Sequence, residues 1–265
     1  MRVALKIAYE GAAFHGHQRQ PEARTVEGEG IAALRAARIF RDPREAFFRS
    51  ASRTDRGVSA VGNVIAFNTT FPPDGVIGAF NDRARDVWAW AFAVVPDDFQ
   101  PRKAEERWYR YHVFEDLSLT RLRGAAQALA GTHDLSSFTS DPPKGPFTIR
   151  RIDVARDGDA ILVDLRAQSF RRGMIRRIVA ALGAHARGEV GLEELAEALR
   201  GRRRDFGMAP PEPLVLMDVR YATQFQVVLK PKVRDEWRAV KVQADLRHRF
   251  VRALEDAVRA NGAVL

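Results

Sequence analysis

Arg150-Arg151-Ile152-Asp153-Val154-Ala155 and Ala160-Ile161-Leu162-Val163-Asp164-Leu165-Arg166-Ala167 flank Asp157-Gly158, so the segment reads as two strands joined by a tight turn. Asp-Gly between β-forming runs is a strong hairpin signal, because glycine reaches the positive φ that such turns require. Working outward, Arg107 to Phe114 reads as a preceding strand, and Ser118 to Ala130 as a helix that Gly131 ends. Helical periodicity returns from about Phe170 to Arg187 and from Leu192 to Arg200, and Leu214 to Tyr221 reads as a last strand.

The first part of the chain has the same mixed character. Val3, Leu5, Ile7 and Tyr9 alternate with Arg2, Lys6 and Ala8, the period-two pattern of a strand with one buried face. Thr25 is placed to cap a helix carrying Val26, Ile31, Leu34 and Ile39, which ends before Asp42-Pro43. Ala46 to Ala51, Val61 to Asn68 and Val87 to Val95 read as strands, with a helix from near Asp74 between the last two. Hairpins beside strand–helix–strand segments predict an α+β fold of two mixed α/β subdomains with largely antiparallel sheets. The expected domains are residues 1–103, residues 104–221, and a basic, partly helical extension over 222–265, where nine Lys or Arg face five Asp or Glu.

Across 265 residues, 43 Lys and Arg against 34 Asp and Glu leave a formal charge of +9, which makes a polyanion the expected partner. No apolar run approaches the roughly 20 residues that cross a bilayer, and a strand-like segment begins at once, so a soluble cytoplasmic protein without membrane attachment is expected. The absence of cysteine excludes disulfides, thiol catalysis and thiolate metal sites.

Three patterns are read as decoys. Gly28-Glu29-Gly30-Ile31-Ala32-Ala33 fits a dinucleotide-binding formula, yet a loop with Pro21 and Arg24 precedes it where a buried strand is required; it reads as a small-residue helix face. His15 and His17 have no neighbouring ligands to complete a metal site, and none is predicted. His133, Asp134 and Ser136 have no nucleophile elbow and fit turn chemistry better.

Ser52-Arg53-Thr54-Asp55-Arg56-Gly57-Val58 follows one strand and precedes another, so it is expected to form a loop that can present a carboxylate to a ligand. Taken alone it reads best as an arginine-paired turn relieved by Gly57. Several segments in consistent order over residues 3 to 221 change that balance, because together they resemble the tRNA pseudouridine synthases of the TruA type. Arg53-Thr54-Asp55-Arg56-Gly57-Val58 matches the family's Arg-Thr-Asp-x-Gly-Val motif, and Tyr9-Glu10-Gly11 and Gly16-His17-Gln18-Arg19-Gln20 resemble its Tyr-Asp-Gly and Gly-Trp-Gln-Arg-Gln segments. Trp108-Tyr109-Arg110-Tyr111 is similar to its Arg-Tyr-Arg-Tyr strand, and Phe170 to Val179 to its Phe-x-x-x-Met-Val-Arg-x-Ile-Val helix. Arg56, Ser59 and His17 depart from the common bacterial pattern, and the motif set looks more like archaeal and eukaryotic branches.

The resemblance implies a pseudouridine synthase fold with its subdomains joined around a central cleft, and isomerisation of uridine to pseudouridine in tRNA, typically at positions 38 to 40 of the anticodon stem-loop. It implies a homodimer that uses no cofactor. Asp55 becomes the expected nucleophile, acting at the ribose C1′ or in a path that first loses the C2′ proton. Arg53 and Arg176 are its expected electrostatic partners. Tyr109 is the candidate stacking platform for an extruded base, and Gln18, Arg19, Arg56, Phe170, Arg171 and Arg172 the candidate substrate contacts. Two other readings fit the same residues: a catalytically inactive tRNA- or RNA-binding protein, and a glycosidic hydrolase using Asp55 with water as acceptor.

Overall fold

The computed structural model describes residues 1–141 and 145–261. The chain divides into two compact units, Met1–Gln226 and Val227–Leu265. The first is α+β. In chain order it holds β1 (Arg2–Tyr9), α1 (Val26–Ala36), β2 (Arg49–Ser50), β3 (Ser59–Asn68), α2 (Pro73–Asn81), β4 (Val87–Val95) and β5 (Glu106–Val113). There follow α3 (Leu119–Leu129), β6 (Gly131–His133), β7 (Phe147–Ile149), β8 (Arg151–Asp157), β9 (Ala160–Ala167), α4 (Met174–Arg187), α5 (Leu192–Leu199) and β10 (Leu214–Arg220). The second unit is dominated by one 30-residue helix, α6 (Pro231–Ala260).

Strands from both parts of the first unit join one sheet in the order β4-β1-β3-β10-β5-β9-β8, with β2 also on β3. Its pairings are antiparallel except at the middle, where β10 runs parallel to β3 through Val215 opposite Ser59 and Leu216 opposite Ala60. This seam joins the first three long strands to the last four. Gly62 permits the close approach there, since a Cβ at that position would sit 2.7 Å from the Met217 carbonyl oxygen. Helix α2 packs on β4, and α3 packs on β8 and α4.

Side-chain chemistry accounts for the elements. Thr25 caps α1 by accepting a hydrogen bond from the Gly28 amide at 3.2 Å. Gly30 is buried on α1 and faces the Phe80 ring of α2, so it belongs to a small-residue helix face. Strand β1 is more enclosed than its alternation predicts: Arg2 through Leu5 are all buried, because the strand lies between β3 and β4. The buried Arg2 is accommodated by donating to Phe99 O (3.0 Å), Phe47 O (3.2 Å) and Asn68 Oδ1 (2.9 Å). Apolar core residues such as Phe67, Phe80 and Phe138 are fully enclosed, each supplying roughly 1.5–3 kcal/mol of burial.

Two local expectations shift. The strand read over 46–51 shrinks to Arg49–Ser50, because Phe47 takes a left-handed φ of 47° and breaks the extended run. The hairpin turn moves one residue along: Asp157 still pairs with Ala160, leaving Gly158 and Asp159 as the turn, with Gly158 at φ 55°.

Gly11 sits in the short 3₁₀ turn after β1, where a Cβ would lie 2.4 Å from backbone atoms of Gly57 and Val58. Gly11→Ala is therefore expected to destabilise the protein by about 1–3 kcal/mol in denaturant unfolding. Gly124, in α3 with open space around its Cα, should behave oppositely: Gly124→Ala is expected to stabilise by roughly 0.5–1 kcal/mol.

Candidate active site

The loop between β2 and β3 is fixed by buried polar groups rather than by regular structure. Asn63 on β3 is fully buried; its Oδ1 accepts from the Ser52 amide (3.2 Å), and its Nδ2 donates to Ser52 O (3.0 Å) and to the Tyr9 hydroxyl (3.2 Å). The Tyr9 hydroxyl also bonds to Thr54 Oγ1 at 2.9 Å, and the His17 amide donates to Thr54 O at 3.0 Å. Gly57 turns the chain with a φ of 87°, and the Val58 amide donates to Asp55 O at 3.2 Å. Unpaired buried polar groups would cost about 1–3 kcal/mol each, so this satisfied network selects one loop conformation. Burial raises the Tyr9 phenol above its ordinary range and keeps it a neutral donor to this network.

From this loop Asp55 projects with its carboxylate half-exposed, and its Oδ2 accepts from Arg176 Nη1 at 3.2 Å. Arg176 stands in the first turn of α4, which the chain enters through Gly173 at φ 69°. Its guanidinium is largely buried and aimed by a second bond, Nε to Ala209 O at 2.7 Å, while the Ala209 amide returns a bond to Arg176 O at 3.1 Å. The cation is thus held before any ligand arrives.

Both residues line a cavity of about 1010 Å³. Tyr109 and Phe170 form one wall, with ring centroids 5.4 Å apart in an edge-to-face arrangement. Burial raises the Tyr109 phenol above its ordinary value, against the lowering influence of Arg107 and a Ser52 hydrogen bond, so Tyr109 is neutral. Seven arginines and two carboxylates line this space, which makes it a basin for a polyanion carrying an aromatic group. His17 is 1% exposed, neither ring nitrogen has a partner among the described residues, and burial pushes its pKa down to about 4, so it is an uncharged part of the wall.

Of the residues singled out from sequence, the fold brings Gln18, Arg53, Asp55, Arg56, Tyr109, Phe170, Arg171, Arg172 and Arg176 to this cavity. Arg53 lines it with an exposed side chain, whereas the ion pair to Asp55 comes from Arg176. Arg19 lies off the lining; its amide donates to Glu27 Oε2 at 3.0 Å. The basic run after α5 is tied down locally, Arg200 to Glu193 and Arg202 to Glu197 at 2.6 Å each, and Arg204 to Glu194. Sequence reading passed over Asn63, Ser52, Arg102 and Arg107. Two signals were present: an asparagine inside the apolar run from Val61 to Phe67, and an arginine two residues before Tyr109 and so on the same strand face.

Residues 125–222 match a family model described as tRNA pseudouridine synthase. The chain is 41% identical over 256 residues to a tRNA pseudouridine synthase A of Thermococcus sibiricus, covering 94% of each chain. It is 40% identical to that of Pyrococcus furiosus, covering 94% of this chain and 92% of the relative, and 39% identical to that of Methanococcoides burtonii, covering 94% and 97%. Identity of this order over nearly the full length of both chains, together with a loop carboxylate held by an arginine in an aromatic, basic cavity, shows that the chain belongs to the tRNA pseudouridine synthase A family.

Proposed function

We propose that the protein isomerises uridine to pseudouridine in tRNA, with Asp55 as the nucleophile and positions 38 to 40 of the anticodon stem-loop as its targets. The observation that carries this reading is the Asp55–Arg176 ion pair at 3.2 Å on the wall of a cavity lined by Tyr109 and Phe170. The reaction breaks the bond from ribose C1′ to uracil N1, turns the base and forms a bond from C1′ to C5. The C5 proton leaves and N1 gains one, so nothing is added or lost overall and no redox or group-carrying cofactor is called for.

Asp55 serves this chemistry by attacking C1′ or by removing the C2′ proton. Arg176 holds the carboxylate in one rotamer and supports its charge. A uridine extruded from its stack costs a few kcal/mol, which stacking against Tyr109 and Phe170 offsets by roughly 1–3 kcal/mol. Arg53, Arg56, Arg171 and Arg172 supply cations for the flanking phosphates, Gln18 supplies an amide that can read a base edge, and Arg19 adds charge beside the site. Arg171 is braced against the Phe147 ring at 5.5 Å and donates to Gly145 O at 3.3 Å.

The protein is read as a cytoplasmic homodimer. Among the described residues no helix is long and apolar enough to cross a membrane. An inactive RNA-binding protein would keep the basic wall but would have no use for an aimed carboxylate, and it is set aside on that ground.

Tritium release from C5-labelled uridine in tRNA measures the reaction directly. The wild type is expected to release tritium without producing free uracil, and Asp55→Asn to lose roughly 10³-fold or more in rate while still binding tRNA. Wild-type rates in Asp55→Asn would remove Asp55 from the mechanism. Arg172→Ala is expected to weaken tRNA binding and to lower the slope of log affinity against log salt by about one, read from filter binding across a salt series.

A further inference from the structure

Arg107, on β5, is 6% exposed and carries the most enclosed guanidinium at the cavity. It donates Nε to Ser52 Oγ at 3.0 Å, Nη1 to Gln168 O, and Nη2 to Ala51 O at 2.9 Å and Arg102 O at 3.0 Å. Every acceptor is neutral, and among the described residues no carboxylate forms an ion pair with it. A buried cation without a counter-charge costs several kcal/mol, more than a clamp on backbone carbonyls needs when a neutral donor could serve. The geometry shows what the planar fork achieves: its acceptors belong to three segments that are far apart in sequence.

Those segments are the parts of the site that must keep a fixed spacing. Ala51 and Ser52 lead directly into Arg53-Thr54-Asp55, and Ser52 is the residue that Asn63 grips from the other side. Gln168 directly follows β9 and lies two residues before Phe170, the edge-to-face partner of Tyr109. Arg102 lies on the lead-in to β5 and lines the cavity. Arg107 itself stands opposite Ala167 in the ladder, so its backbone is already fixed to the strand whose end it clamps. A lysine carries the same charge, but its three donors on a flexible stem cannot reproduce this fork.

We propose that Arg107 is a positioning residue that sets the separation between the Asp55 loop and the Tyr109–Phe170 wall, acting on the isomerisation step through Ser52 and Gln168 without touching the uridine. The inference rests on the pseudouridine synthase reading and adds to it a residue that acts at one remove.

The experiment is single-turnover tritium release together with tRNA binding and thermal unfolding, for the wild type, Arg107→Lys, Ser52→Ala and the double variant. Arg107→Lys is expected to slow the bound-state rate by roughly 10²-fold while tRNA affinity stays within about threefold. Ser52→Ala, which removes one Arg107 acceptor and the Ser52 hydrogen bond to Tyr109 while leaving the charge, should slow it by a smaller factor, and the double variant should be slower than Arg107→Lys by less than the factor Ser52→Ala costs alone. An unchanged rate in Arg107→Lys, a parallel loss of rate and affinity, or multiplying effects of the two substitutions would each overturn the proposal. If Arg107→Lys does not fold, Ser52→Ala decides: a wild-type rate there contradicts the clamp. A wild type that releases no tritium would overturn the functional reading along with this inference, whereas an active wild type with an equally active Arg107→Lys would overturn this inference alone.

Discussion

The ion pair between Asp55 and Arg176 joins residues 121 positions apart, and the placement of the surrounding elements makes that meeting possible. With the Asp55 side chain 44% exposed and that of Arg176 17%, the pair contributes at most on the order of 1 kcal/mol to stability. Its importance is geometric. The carboxylate comes from a loop braced by β1 and β3, the guanidinium from the first turn of a helix that follows β9. The two meet because β3 and β10 close the sheet in parallel and bring the strands of both parts into one surface.

Around that contact the site divides into fixed and accessible groups. Tyr9, Asn63, Ser52 and Arg107 are buried and bonded to one another or to loop backbone, so they hold shape. Arg53, Arg56 and Arg172 are exposed and have room to follow a phosphate backbone. A hydrogen-bonded centre beneath an exposed cationic rim suits a ligand that must be gathered as a polyanion and then held at one atom.

Much of the fold was legible because its signals are local. Alternation marked β1, an apolar strand-forming run marked β4, Thr25 and Ser118 marked helix starts through side chains that accept from the amides of Gly28 and Arg121, and Asp157-Gly158 marked the hairpin to within one residue. Less legible was whatever depends on which strand lies beside which. The burial of Arg2 follows from the position of β1 between β3 and β4, and the parallel seam at Ser59 and Ala60 has no signature in either strand. Asp55, Tyr109, Phe170 and Arg176 could be named in advance through short motifs. Arg107 and Asn63 could not, because their importance lies in partners contributed by other elements. Arg53 shows the complementary limit: of the two arginines expected beside Asp55, Arg176 forms the ion pair and Arg53 lines the cavity.

The central claim is that Arg176 aims the Asp55 carboxylate for reaction, and the bound-state isomerisation rate of Arg176→Met compared with Arg176→Lys tests it most directly. A charge-assisted hydrogen bond contributes about 1.5–3 kcal/mol, so Arg176→Met should be slower by roughly 10- to 10²-fold with tRNA affinity little changed, and Arg176→Lys should recover part of that loss. A wild-type rate in Arg176→Met, or a loss fully explained by weaker tRNA binding, would contradict the account.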